Sequence, residues 1–317
     1  MKYLLRSFSY TFLMLFLISL ISFLAMHAAP NSFMGSDLNP NMTPENIAHL
    51  KSIYGLDKPL AQQYLSWIIN LSHLDFGISF VSGEAVSHVI MDRLPVTLWM
   101  NGIAFVVTFW MGLHFGIHSA LRYEMLSDRF LTQLSLLSFA MPSYYLALVL
   151  MMVGSVTLGW FPIAGLHSLQ PPSGMGYYWD MGWHLVLPIT VIVFVGVGSL
   201  ILTVRSLTLE ILKSDYVYFA RVRGVSEKLL IRRIIMPNLL PPVVTMVGLS
   251  LPGFIGGSVI LESIFGIEGM GQLFYSSVMS RDYPVIMGIL IMSALLTLVG
   301  NQIADGVLLK LNPFVKR

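Results

Sequence analysis

The sequence predicts an all-α integral membrane protein with six membrane-crossing helices. Of its 317 residues, 56% are hydrophobic and only 11% are charged. An ordinary soluble domain carries about 25% charged residues, and the mean hydropathy here is +0.75. Six apolar runs, each long enough to cross a hydrocarbon core of about 30 Å, contain no Asp, Glu, Lys or Arg. The basic residues collect in the segments that alternate runs would place on one side. A formal net charge of +2 gives no reason to expect a nucleic-acid partner. With no cysteine there is no disulfide, thiolate metal site or cysteine nucleophile.

The first run, 7–29, follows Lys2 and Arg6. It is too long for a signal-peptide core and more runs follow, so it reads as an uncleaved first helix. Residues 30–94 are polar enough to lie outside the membrane. Thr43 is placed to cap a short helix, with Pro44 in its first turn and Gly55 at its end. Asp57 starts another, with Leu60, Tyr64, Trp67 and Leu71 at helical spacing. The second span is 96–117, followed by a short mixed-charge loop at 122–129. The third, 130–153, is interrupted by Pro142. Residues 154–182, rich in Gly, Pro, Trp and Tyr, read as an interfacial loop. The fourth span is 184–204, with Pro188 inside it. The fifth, 239–261, bears Gly248, Gly253, Gly256 and Gly257. A loop at 262–282 precedes the sixth span, 284–304.

Orientation follows from the basic residues. Lys2, Arg6, Arg122, Arg129, the cations of 205–233 and those of the C-terminus (Lys310, Lys316, Arg317) share one side. Lys51, Lys58, Arg93 and Arg281 lie on the other. The positive-inside rule makes both termini and 205–233 cytoplasmic, and 30–94 extracytoplasmic.

The longest charged segment runs from Arg205 to Pro242. Ser214 is a plausible N-cap, and Asp215 suits the first turn. Gly224 can end that helix in the left-handed conformation. Ser226 can cap a second helix, with Glu227 near its start, Arg232 and Arg233 near its end, and Pro237 closing it.

Several chemistries have no residues to support them. No phosphate-binding G-x-x-x-x-G-K-[ST] loop, H-E-x-x-H pair or G-x-S-x-G elbow occurs. The uncharged spans argue against a proton-driven carrier and an intramembrane hydrolase. His114 and His118, four apart on the second span, are weak metal candidates, a polar interface pair being the commoner arrangement. The fifth-span glycines serve either close packing or a hinge. Pro142 and Pro188 either kink their helices for packing or free carbonyls toward a pore.

The charged segment resembles the EAA loop of binding-protein-dependent ABC importer permeases. Tyr218, Phe219 and Ala220 stand at the E-A-A positions, Gly224 at the glycine, and Ile234, Met236 and Pro237 at I-x-L-P. The branch importing dipeptides, oligopeptides and nickel carries D-Y-x-x-x-A-R-x-x-G, matched by Asp215, Tyr216, Ala220, Arg221 and Gly224. Ile234, four residues before Asn238, stands where that branch often has His. Further matches run along the chain: Tyr54-Gly55-Leu56-Asp57, Asp75, Gly77, Ser79, Arg93-Leu94-Pro95, Ser138 with Pro142, Leu158-Gly159-Trp160, Glu262 with Phe265, and Arg281-Asp282-Tyr283-Pro284.

The resemblance implies a type I ABC importer permease architecture with a cytoplasmic coupling helix. Residues 1–29 would form the N-terminal tail and first helix, 30–95 an extracytoplasmic region with short amphipathic helices, and 96–317 a five-helix core that includes the coupling loop 205–238. Asp215, Tyr216, Ala220, Arg221, Arg223, Gly224, Ile234, Pro237 and Asn238 would couple to an ATPase. Ser138, Pro142, Pro188, Gly253, Gly256 and Gly257 are candidates for the translocation path or a hinge. The implied partners are a second homologous permease, two ATP-binding subunits that carry ATP and Mg, an extracytoplasmic substrate-binding protein and membrane lipid, with no cofactor on this chain. The implied location is the bacterial cytoplasmic membrane. The expected cargo is a di- or oligopeptide, with nickel or a nickel chelate as the alternative. A secondary carrier or channel is the reading from another class.

Overall fold

The computed structural model describes residues 13–24, 57–256 and 258–311. The helix expected after Thr43, the N-terminal basic residues, Gly257 and the last six residues lie outside them. The described residues form twelve α-helices in chain order: α1 Leu13–Leu24, α2 Leu60–Ser72, α3 Val86–Leu121, α4 Leu126–Ala140, α5 Ser143–Leu150, α6 Met175–Leu212, α7 Asp215–Val222, α8 Glu227–Leu230, α9 Met236–Gly256, α10 Val259–Ile264, α11 Met270–Ser280 and α12 Tyr283–Leu311. Wide π turns follow α5 (Met151–Thr157) and α8 (Ile231–Ile235). The one β contact among the described residues is an isolated bridge between Ile78 and Ala85.

Four stretches are long and apolar enough to span a membrane: Val86–Leu121, Met175–Leu212, Glu227–Gly248 and Tyr283–Ile303. The pair α4 and α5, extended by its π turn, makes a fifth if it counts as one span. Its halves meet at 102°, so the interruption expected at Pro142 is a full break. Pro142 has no N–H to continue the ladder of α4, and the residue before it is driven out of helical conformation. Met141 accordingly sits at φ −82°, ψ 123°.

Several boundaries differ from the sequence reading. The second and fourth spans belong to helices that begin at Val86 and Met175, because an apolar window marks the lipid-exposed part of a helix and not its ends. The expected 122–129 loop is shorter, since α4 starts at Leu126 and takes in Asp128. The expected 262–282 loop contains the end of α10 and all of α11. The fifth span ends at Gly256, and Ser258 then caps α10 by accepting from the Leu261 N–H (3.3 Å).

Pro237 does not close a helix: α8, the π turn and α9 run on as one stretch through it. A proline ring normally collides with the carbonyl four residues back. Just before Pro237 the ladder has widened, with Met236 N–H bonded to Ile231 C=O, and this gives the ring room.

The chain forms two compact units. The first joins the described residues up to Pro95 with Gly269–Val299. Its core is Phe76, Val86, Ile90, Met270, Val285 and Ile289. Gly288 is required there, because a Cβ would lie 2.7 Å from Val86 Cγ1. The stripe predicted on α2 is used: Trp67 and Leu71 pack on this core, and Tyr64 meets Ser19 of α1 (2.8 Å) and stacks edge-on with Phe23. The Asp282 carboxylate holds the turn at 79–81, accepting from Ser79 Oγ (2.5 Å) and the N–H groups of Phe80 (3.0 Å) and Val81 (3.4 Å).

The second unit comprises Val96–Glu268 and the described residues from Gly300 onward. Helix α6 is its axis. Gly112 and Gly116, a G-x-x-x-G pair on α3, let α6 approach closely: a Cβ at Gly116 would lie 2.7 Å from Val204 Cβ, and one at Gly112 would overlap Leu200. On another side Gly198 of α6 lies against the Ser135 carbonyl and Ser138 of α4. One core cluster, around Leu146, Leu185, Val191, Leu261 and Phe265, joins α5, α6 and α10. A second, around Ile117, Val204, Val217, Ile235 and Leu239, joins α3, α6, α7 and the start of α9.

Replacing Asp282 by Ala leaves the buried Ser79 hydroxyl and nearby N–H groups without this acceptor. We expect a loss of about 1–3 kcal/mol, read as a lower melting temperature of the detergent-solubilised protein.

Candidate functional site

The last turn of α6 leads straight into α7. The N–H groups of Lys213 and Ser214 return to Glu210 and Ile211 carbonyls (3.2 and 3.1 Å). Ser214 occupies the N-cap position with extended backbone (φ −76°, ψ 148°), as its place in the sequence predicts. Its hydroxyl does not cap α7, however; it donates back to the Ile211 carbonyl (2.5 Å) and so fastens the end of α6. Ser226 likewise takes the N-cap position of α8 without a side-chain cap bond.

The other end of α7 forms as predicted. Gly224 adopts φ +75°. Val225 N–H reaches the Ala220 carbonyl (3.1 Å) and Gly224 N–H the Arg221 carbonyl (2.9 Å), which is a Schellman closure. Val225, half-buried, packs on the same core as Ala220. No heavy atom lies within 4 Å of the position a Cβ would take at Gly224, so only backbone conformation demands glycine there.

Helix α7 has two unlike faces. Val217 is fully buried, and Ala220 packs beside it. Tyr216, Tyr218, Phe219 and Val222 are exposed, Tyr218 at 65% and Phe219 at 59%. Asp215, Arg221 and Arg223 are exposed as well. A short helix in a charged segment thus presents aromatic and aliphatic side chains ringed by charge, with its inner face anchored on three long helices. Ile234 lies half-buried in that same core, and Asn238 Nδ2 donates to the Ile234 carbonyl (2.7 Å). Pro237 is exposed at the start of α9.

The translocation candidates are spread over three helices. Ser138, buried in α4, donates to the Phe194 carbonyl of α6. Pro142 sits at the 102° break, and Pro188 is buried within the uninterrupted α6. Gly253 and Gly256 lie in the last turns of α9. His114 stacks on Trp110 (5.8 Å, 6°), and no cluster of three metal-ligating side chains occurs among the described residues.

One buried carboxylate, Asp128, escaped the sequence reading. Asp128, only 2% exposed, accepts from Arg205 Nε (2.6 Å) and Nη2 (2.8 Å) in a two-pronged pair. It also accepts from the Ser119 hydroxyl of α3 and from Glu124 N–H (2.9 Å). The Arg205 guanidinium lies over the Tyr123 ring (5.2 Å). Removing one partner of such a pair strands a buried charge at about 3–5 kcal/mol. Glu262 of α10 is fully buried and accepts from the Thr97 hydroxyl (3.2 Å).

Among the segments between helices, the 158–174 loop is fixed by Asp180, which accepts from Ser168 N–H (2.8 Å) and Oγ (2.6 Å). Hydrogen bonding to Phe265 through Gly165 N–H (2.8 Å) fixes its middle.

Replacing Gly224 by Ala forces an L side chain into the left-handed region, at about 1–2 kcal/mol, and Asn should cost less. Faster amide hydrogen exchange at the end of α7 checks this order.

Comparison with known proteins agrees with this geometry. Residues 112–317 match the family described as binding-protein-dependent transport system inner membrane component, and 1–101 match its N-terminal family. An oligopeptide transport system permease protein, AppB of Bacillus subtilis, is 38% identical over 91% of this chain and 90% of its own. A dipeptide transport system permease protein, DppB of Lactococcus lactis, is 32% identical over 96% and 95%. Among solved structures, an inward-facing MetNI methionine ABC transporter chain aligns with a TM-score of 0.52 at 17% identity, covering 70% of this chain and 97% of that one. The chain belongs to the binding-protein-dependent inner-membrane transport components and is a multi-pass ABC importer permease of the peptide family.

Proposed function

We propose that this permease is one of two related membrane subunits of an ATP-driven importer of di- or oligopeptides, and that α7 is its coupling helix. The observation that carries the reading is the two-faced α7: Val217 and Ala220 anchor it to the spans, while Tyr218, Phe219 and Val222 stand exposed in a charged segment. An exposed apolar patch rimmed by charge suits a protein groove. The occupant is an ATPase subunit, one of two, which binds ATP and Mg and hydrolyses ATP apart from this chain. Asp215, Arg221 and Arg223 pair with charges at the groove rim. The peptide cargo is supported by the names of the relatives, which share about a third of their residues with this chain.

In this reading the chain crosses the cytoplasmic membrane six times: α1, α3, the broken α4–α5 pair, α6, α9 and α12. Both termini and α7 face the cytoplasm, in keeping with the basic residues. An external binding protein delivers the peptide to the opposite side. Ser138, Pro142, Pro188, Gly253, Gly256 and Gly257 belong to the path or its hinges. Charged side chains are not needed for this role, because the driving force arrives through α7 from the partner.

The test is ATP hydrolysis and uptake by the assembled complex in liposomes. The binding protein is supplied empty, loaded with peptide, or loaded with nickel chelate. Peptide-loaded protein should stimulate both hydrolysis and uptake. Stimulation by nickel chelate alone would overturn the cargo, and silence toward every loaded form would overturn the importer reading. Gly224→Pro and Arg221→Glu should each lower uptake per ATP while leaving the chain inserted, since both alter α7 and neither touches a span.

A further inference from the structure

We infer that Asp128 and Arg205 form a strut that makes α4 move with α6, and so carries displacement of α7 to the break at Pro142. The inference rests on the coupling role proposed for α7, and it assigns positioning residues for that role.

Arg205 lies seven residues before the end of α6 at Leu212, about 10 Å along the helix at 1.5 Å per residue. The two-residue link between α6 and α7 is closed by backbone bonds and by the Ser214 hydroxyl, so it has little slack. A push on α7 therefore reaches Arg205 along a hydrogen-bonded rod.

At Arg205 the push meets a rigid joint. Two parallel N–H···O bonds fix both position and orientation of a guanidinium against a carboxylate, which a single contact would not. Asp128 is in the first turn of α4. The same carboxylate holds the end of α3 through Ser119 and the α3–α4 turn through Glu124 N–H. Glu124 is itself a non-glycine residue at φ +64°, a conformation that needs such support.

A second fastening holds the far part of α4. Ser138 donates to the Phe194 carbonyl, and Gly198 admits the Ser135 backbone against α6. With one joint near each end, α4 and α6 behave as one body. The chain leaves that body at Met141 and Pro142, where α5 departs at 102°. Motion entering at α7 is thus delivered to the break, where the helix ladder beyond α4 is open.

The chain has no cysteine, so spin labels attach only where cysteines are introduced. Labels on exposed Lys213 and Phe130 report the separation of the α6 end from the start of α4. In the assembled complex we expect that separation to be the same with and without ATP. In Asp128→Asn, which keeps size but loses the charge, it should change between the two states, and peptide taken up per ATP should fall about tenfold, within the usual range of coupling between sites. Arg205→Lys keeps the charge but loses the fork and should fall in between; it carries the test if Asp128→Asn does not assemble. A purely structural role would lower the melting temperature and the surviving fraction but leave uptake per ATP unchanged.

A separation that changes with ATP in the unaltered pair, or unchanged uptake per ATP in the variants, overturns the strut. Absence of ATP-driven uptake in the unaltered complex removes the importer reading itself, and the strut with it.

Discussion

One carboxylate, that of Asp128, holds together the part of the molecule nearest the charged segment. It gathers the end of α3, the turn that follows, the first turn of α4 and the guanidinium of Arg205 on α6. In a protein whose apolar spans carry no charge, this joint has a property that packing lacks. Apolar packing is non-directional, whereas a two-pronged ion pair fixes both the position and the orientation of its two groups. The glycine contacts of Gly112, Gly116 and Gly198 bring the helices close, and the ion pair fixes their register.

The rest of the second unit is built around that fixed register. Helix α6 runs without interruption through Pro188, long enough to cross a membrane and still extend past it. Its neighbour is broken. In the proposed coupling, continuous and interrupted elements side by side would separate two tasks, one transmitting displacement and the other yielding to it. Helix α7 also divides, with Val217 buried against the spans and Phe219 exposed. In the first unit the Asp282 carboxylate gathers a turn in a comparable way, with backbone N–H groups in place of a cation.

Much of this was legible in the residues. Uncharged windows located four of the stretches long and apolar enough to cross a membrane, five with the broken pair, because lipid tolerates little else. Gly224 announced a left-handed helix end, and the Schellman bonds are there. Pro142 announced a break, though not its angle, which depends on how α5 packs on α6 and α10. Other features were hidden for identifiable reasons. Asp128 and Arg205 are 77 residues apart, and nothing local pairs one acid with one base among so many. Gly112 and Gly116 carry a packing motif that has meaning only once the facing helix is known. Ser214 has the residue type and position of a cap, yet its hydroxyl found a nearer carbonyl behind it. Pro237 has the residue type of a terminator, and the π turn before it removed the collision that would have ended the helix.

What meets the exposed face of α7 decides whether it is a coupling helix. A single cysteine at Phe219, in a chain that has none of its own, can be tested for cross-linking to the ATPase subunit in the assembled complex, with a second single cysteine at the exposed Trp179 of α6 as the comparison. The account predicts a cross-link from position 219 and none from 179, with an efficiency at 219 that changes when ATP is bound. Cross-linking to lipid alone at 219, or to the ATPase equally from both positions, would contradict it.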